Sequence, residues 1–356
     1  MAERRKALIF GVSGMVGRNL AERLAADDGW DIVGVSRART PGIPGVQTVT
    51  CDLADAAGTR EALAGIGPVT HAFFATWKRC ANEEENCVVN GAMIRNALAA
   101  IPGDRLEHVA LVTGLKHYLG SFDDFAKRPV ETPLVETLPR LPGPNFYYVH
   151  EDALFDSARS RGHSWSVARP HTIIGFAPGN AMNLGTSVAV YASLCKATGR
   201  PFVFPGSPMQ HDGITDVSDA RQVADHMIWS ATDPRARDTA FNVTNGDVFR
   251  WRTMWRHIAE WFGLEPAPYP GYAQPMVRMM ADVADEWRQL AERHGLAEPD
   301  VTALAPWWHV DADLGRDIEV FCDMGLSRER GFTGYIPTRR SFTDLFDRLR
   351  AERLIP

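Results

Sequence analysis

The chain has 356 residues, 45% hydrophobic and 23% charged, with a formal charge of −6 from 38 Lys and Arg against 44 Asp and Glu. That length exceeds one ordinary compact domain and fits a large α/β domain with a smaller partner region. The two signs of charge are interspersed and leave no basic footprint for nucleic acid, and no apolar run reaches membrane-spanning length. Ala7-Leu8-Ile9-Phe10 is too short for the apolar core of a signal peptide, so an unexported, cytoplasmic protein is expected. The five cysteines (Cys51, Cys80, Cys87, Cys195, Cys322) are scattered without a CxxC pair and predict reduced thiols, with neither disulfide nor metal site.

Residues 7–10 form a continuous apolar run, as a strand buried on both faces requires. Gly11-Val12-Ser13-Gly14-Met15-Val16-Gly17 follows, and helical spacing begins at Val16 and continues through Leu20 and Leu24. Strand, glycine turn and helix make half of a βαβ unit. The bare backbone at Gly11, Gly14 and Gly17, with Ser13, Met15 and Val16 opening the helix, lets a pyrophosphate approach free N–H groups at the positive end of the helix dipole. The next strand ends at Ser36-Arg37, about twenty residues beyond the glycines, where a dinucleotide fold reads the adenosine ribose. Cations (Arg37, with Arg39 beyond) stand where an NAD-selective enzyme has a carboxylate, which favours NADP(H).

The alternation continues. Residues 46–51 predict a strand closing on Asp52-Leu53, with Asp52 placed either to cap the next helix or to bond an adenine amino group. Residues 70–75 predict a fourth strand with Thr76 and Trp77 at its carboxyl end, and Glu83 to Ala100 a long helix. Residues 107–112 predict a fifth strand delivering Thr113-Gly114-Leu115-Lys116 to the edge where open α/β sheets hold reacting ligands. The five prolines between Gly120 and Pro144 suit a substrate-covering excursion. A helix from Tyr148 to Ala158, with Leu154 and Phe155 inward, and a sixth strand ending at Arg169-Pro170 complete the expected fold. This is a Rossmann-like doubly wound parallel sheet over 1–170, with an appended, mainly helical substrate-binding region over 171–356 and no linker between them. Within the latter, helices are expected near 187–198, 216–232 and 252–263.

A short-chain dehydrogenase ordinarily carries Lys four positions after its catalytic Tyr. Four after Tyr148 stands Asp152, a carboxylate that would oppose a phenolate, and Lys116 is the candidate replacement cation. Thr113-Gly114-Leu115-Lys116-His117-Tyr118, Asn145-Phe146-Tyr147-Tyr148 with Glu151-Asp152, Thr76-Trp77, Glu85-Asn86-Cys87 with Asn90-Gly91, Met182-Asn183 and Phe204-Pro205-Gly206-Ser207 resemble the progesterone 5β-reductase/iridoid synthase-like family of extended short-chain dehydrogenases. The resemblance covers most of the chain. It implies Lys116 and Tyr148 as catalytic pair, NADPH as cofactor, and reduction of the activated C=C bond of a small enone or enal. Tyr147 is then assigned to packing, and Trp77, Tyr118, Phe122 and Met182 either line the substrate pocket or belong to the core. Carbonyl reduction, nucleotide-sugar epimerisation and non-catalytic NADP(H) sensing are the competing readings, and assembly as a homodimer is left open.

Overall fold

The computed structural model describes residues 4–38, 42–121, 130–180 and 182–356; Arg39 and Phe122 therefore lie outside the described residues. Strands β1 (Arg5–Phe10), β2 (Trp30–Ser36), β3 (Val46–Thr50), β4 (His71–Phe74), β5 (His108–Val112) and β6 (Ser164–Pro170) form a parallel sheet. Between them run α1 (Met15–Ala25), α2 (Ala56–Leu63), α3 (Glu83–Ala100), the single turn α4 (Lys116–Leu119) and α5 (Phe146–Arg161). The apolar run of β1 is explained by burial on both faces. Leu8 and Phe10 join one core with Val33, Leu111 and the α3 residues Ile94 and Leu98, while Ala7 and Ile9 join a second with Leu20 and Leu24 of α1.

The sheet does not stop at six strands. After the two-residue pair β7 (Ile173–Ile174) and β8 (Ser218–Asp219), and α6 (Leu184–Thr198) between them, the chain returns with β9 (Thr239–Val243), which pairs with β6. The order is β3-β2-β1-β4-β5-β6-β9. The helix Ala220–Thr232, N-capped by Asp219, lays Val223, Ala224 and Met227 on the same face as α1, where Phe241 and Val243 of β9 join them. The boundary expected at 170 thus runs through a shared core. A separate core holds α6 and the later helices, with Phe202 stacked on Trp255 at 4.3 Å and Trp287 fully buried.

The sheet order reverses at β1: β2 lies on one side and β4 on the other, opening a crevice at the carboxyl ends of the strands. All five cysteines are free, and no helix among the described residues is long and apolar enough to cross a membrane.

Because Phe241 is fully buried between the sheet and a helix of the C-terminal half, Phe241→Ala should cost about 3–5 kcal/mol in urea denaturation and preserve a single transition. A loss under about 1 kcal/mol, or separate transitions for the two halves, would show that β9 is peripheral.

Candidate active site

The crevice deepens into a cavity of about 810 Å³. Its dinucleotide-like end is built from the β1–α1 turn. Gly11 has φ +91°, and a Cβ there would lie 2.6 Å from the Ala75 carbonyl; one on Gly17 would lie 2.1 Å from the Gly11 carbonyl. The turn therefore has room only for hydrogen at both positions. Gly11, Ser13, Gly14, Met15 and Val16 line the cavity, whereas Gly17 serves from behind as the packing contact. Unlike α2, α3, α5 and α6, α1 has no side-chain cap, so its first-turn N–H groups stay available at the cavity wall. Ser36, Arg37 and Leu53 continue the lining at the ends of β2 and β3. Asp52 is not among these residues: its Oδ1 accepts from Ala54 N at 3.0 Å in a local turn. Capping of α2 falls to Asp55, which accepts from Ala57 N and Gly58 N.

At the other end, Thr76, Trp77, Thr113, Lys116, Phe146, Tyr147, His150 and Met182 meet. Lys116 and Glu83 form a buried ion pair, with Nζ 2.8 Å from Oε2 and 3.0 Å from Oε1. Glu83 also accepts from Phe146 N at 2.9 Å and from Asn86 Nδ2 at 3.1 Å. The ammonium lies over the rings of Phe146 at 4.4 Å and Tyr147 at 5.6 Å. Asn145 caps α5 through Tyr147 N and donates its Nδ2 to the Lys116 carbonyl at 2.8 Å, joining β5's end to the helix start.

The two adjacent tyrosines point opposite ways, reversing the register expected from sequence. Tyr147 is half-buried and faces the cavity; its backbone N–H bonds Asn145 Oδ1, and its hydroxyl bonds no described residue. Burial, assisted by Glu83, raises its pKa, so the phenol keeps its proton. Tyr148 turns away from the cavity: its hydroxyl donates to the His117 carbonyl at 2.7 Å and accepts from Leu141 N at 2.9 Å. Its face of α5 binds the Pro-rich segment. Arg140 stacks over the Tyr148 ring at 4.9 Å and donates to Glu151 at 2.9 Å and Asp152 at 2.8 Å. Glu151 additionally accepts from Arg169 of β6 at 3.0 Å; burial opposes its ionisation, but His117, Arg169 and Arg140 outweigh it and hold its pKa at about 2. Asp152, without an assignable role from sequence, is part of this clamp.

Tyr118 is likewise not a cavity residue. It is buried with Leu115, Leu119 and Leu134, and its hydroxyl donates to Asn242 Oδ1 at 2.7 Å. The C-terminal half supplies the remaining wall through Trp308, His309, Asp313 and Arg316, with His171. Arg79, from the loop after β4, stacks on Trp308 at 4.3 Å and links the two halves across the cavity. Because Arg316 can only donate, His171 Nε2 accepts from it at 3.0 Å, and the ring proton sits on Nδ1 against Asp216 Oδ1 at 2.7 Å.

A family model described as a PRISE-like Rossmann-fold domain matches residues 46–356. The chain belongs to that family. An (S)-8-oxocitronellyl enol synthase of Nepeta cataria is 40% identical over 362 aligned positions, spanning 98% of this chain and 93% of that protein. A 3-oxo-Delta(4,5)-steroid 5-beta-reductase of Arabidopsis thaliana is 38% identical, with 98% of this chain and 93% of that one covered. In fold the chain matches the Bordetella bronchiseptica enzyme WbmG, solved in complex with NAD and UDP, at a TM-score of 0.68 and 16% identity over 99% of this chain and 97% of that one. The PRISE-like protein is an oxidoreductase, and the resemblance carried by its motifs is confirmed.

From the sequence Tyr147 is weighed against Tyr148 and assigned to packing, and His150, Glu83 and the Trp308–Arg316 wall are given no place in the site. The signal for Tyr147 was present: residues 147, 150 and 154 share one helical stripe, and Leu154 is fully buried against the sheet. Nothing local announces that Glu83 pairs with Lys116 across 33 positions.

In this PRISE-like protein Glu83→Gln leaves the buried Lys116 without its carboxylate. It should destabilise by about 3–5 kcal/mol, while combination with Lys116→Met should restore part of the loss. Denaturation of the two single variants and the double variant would measure this; strictly additive losses would show that the pair is not coupled.

Proposed function

We propose that the protein reduces the activated C=C bond of a small enone or enal with NADPH, and that Tyr147, rather than Tyr148, is the hydrogen-bond donor to the substrate carbonyl. The observation that carries this reading is the Tyr147 phenol: half-buried at the cavity wall beside Thr113 and Lys116, protonated, and with no hydrogen-bond partner among the described residues. The names of the two relatives, an enol synthase and a 5-beta-reductase of an unsaturated 3-oxo steroid, support the substrate class.

The residues present fit a dinucleotide. Close approach at Gly11 and Gly17 and the uncapped start of α1 suit a pyrophosphate, Arg37 suits a 2′-phosphate, and the buried Thr113 Oγ1 has no partner among the described residues. A bound reduced nicotinamide supplies the hydride for the β-carbon. The chain's own residues act at the other end of the conjugated system. Tyr147 donates to the carbonyl oxygen, where enolate charge develops, and a fixed donor in a water-poor site stabilises that charge without reorganisation. Lys116, held by Glu83 against the Tyr147 ring, keeps the phenol in place and adds positive potential. Trp77, stacked on Phe146 at 5.1 Å, with Met182 and Trp308, encloses the substrate space. Alcohol oxidation or epimerisation would instead need Tyr147 as a phenolate base, the form that burial and Glu83 disfavour.

With a panel of simple enones and NADPH, nicotinamide absorbance should fall; silence with all of them alongside turnover of a ketone or sugar nucleotide would remove the reading. Tyr147→Phe should lower kcat by about 10²–10³ with NADPH affinity retained, and Tyr148→Phe should act mainly on stability. The reverse pattern would return the role to Tyr148. Arg37→Ala should weaken NADPH by about tenfold and NADH little, since an ionic hydrogen bond to the 2′-phosphate is lost only in the former. Equal losses in fluorescence titrations would exclude NADPH selection by Arg37.

A further inference from the structure

His150 lies one turn beyond Tyr147 on the same face of α5 and borders the cavity. It is 2% exposed, and neither ring nitrogen has a hydrogen-bond partner among the described residues. Phe74 and Phe146 flank the ring edge-on, with centroids at 5.3 and 5.4 Å. Burial lowers its pKa to about 4 against a smaller opposing pull from the Asn90 backbone. The imidazole is therefore neutral at pH 7, with one N–H donor and one lone-pair acceptor.

A buried imidazole with both nitrogens idle opposes folding, and a phenyl ring would fill the space between two phenylalanines without that penalty. Packing alone does not call for histidine here. The ordinary short-chain pattern places a cation four positions after its Tyr to hold a cofactor sugar. Four after Tyr147 stands Glu151, which turns to Arg140 and Arg169. The polar group that α5 presents to the cavity one turn past Tyr147 is the His150 ring.

We propose that His150 is a dinucleotide-binding residue whose neutral imidazole hydrogen-bonds a hydroxyl of the sugar on the nicotinamide side. This rests on the NADPH reading and adds to it the group that holds the reacting half of the cofactor. The position follows from the site: Tyr147 marks the reacting end, Arg37 the adenosine end, and a rise of about 1.5 Å per residue keeps His150 within one helical turn of Tyr147.

Fluorescence titration of the full chain with NADPH, reduced nicotinamide mononucleotide and adenosine 2′,5′-bisphosphate tests the assignment without turnover. His150→Phe should weaken NADPH and the mononucleotide by about three- to tenfold, leave the bisphosphate unchanged, and raise the melting temperature of the ligand-free protein. His150→Gln, which retains a donor and an acceptor, should recover most of the affinity. Should the Phe variant not fold, His150→Met carries the same expectation. Parental affinity for NADPH in the apolar variant, or equal losses for all three ligands, would overturn the role of His150 while leaving the NADPH reading intact. A parent chain that binds none of the three would overturn both.

Discussion

The ion pair between Lys116 and Glu83 is the constraint around which the Tyr147 end of the cavity is arranged. Both groups are within a few per cent of full burial, where either charge alone would be untenable. The carboxylate does more than neutralise. It receives the first N–H of α5 and the amide of Asn86, and it stands in the first turn of its own helix, so one side chain joins the starts of α3 and α5 to the end of β5. A negative charge at the N-terminus of α5 also complements the helix dipole. With that junction set, Phe146 falls beneath Trp77 and the ammonium, and Tyr147 has nowhere to go but the cavity.

α5 therefore works as a two-faced element. One face carries Tyr147 and His150 to the cavity. The other carries Tyr148, Glu151 and Asp152, which grip Arg140 and Leu141 of the Pro-rich segment. The family-like run at 145–152 is thus a composite: part of it builds the site, and part fastens a covering segment beside it. The carboxylate that looked like a defect in a Tyr-to-Lys pattern belongs to the second function.

Much of this could be read from the residues, for identifiable reasons. β1, β4 and β5 announced themselves because they are buried on both faces, which leaves short apolar runs in the sequence; β3, largely exposed at the sheet edge, was legible from its Val and Thr residues instead. β9 did not announce itself: Thr239 to Val243 is a short edge strand, and its partner lies some seventy positions earlier. Lys116 could be placed because a strand end fixes where the next residues emerge, whereas its partner depends on tertiary contact alone. Asp52 and Asp55 are both plausible caps three residues apart, and only backbone geometry distinguishes them. The tyrosine register was legible in principle, since an inward Leu154 selects Tyr147, but choosing Phe155 as a second inward residue blurred the stripe; Phe155 instead packs on Trp165 at the core's rim.

The interleaving of β9 and the helix Ala220–Thr232 with the first half bears on how such a protein can diversify. In many two-domain enzymes the specificity module is a cassette that can be exchanged without disturbing the nucleotide fold. Here the segment that furnishes one cavity wall also supplies the last strand of the sheet and a helix beside α1, so a wholesale exchange would unmake the fold. The shape of the cavity can be altered only in place, by substitutions at lining positions such as Met182 or along the Trp308–Arg316 wall, under the restriction that each change leaves the shared core untouched.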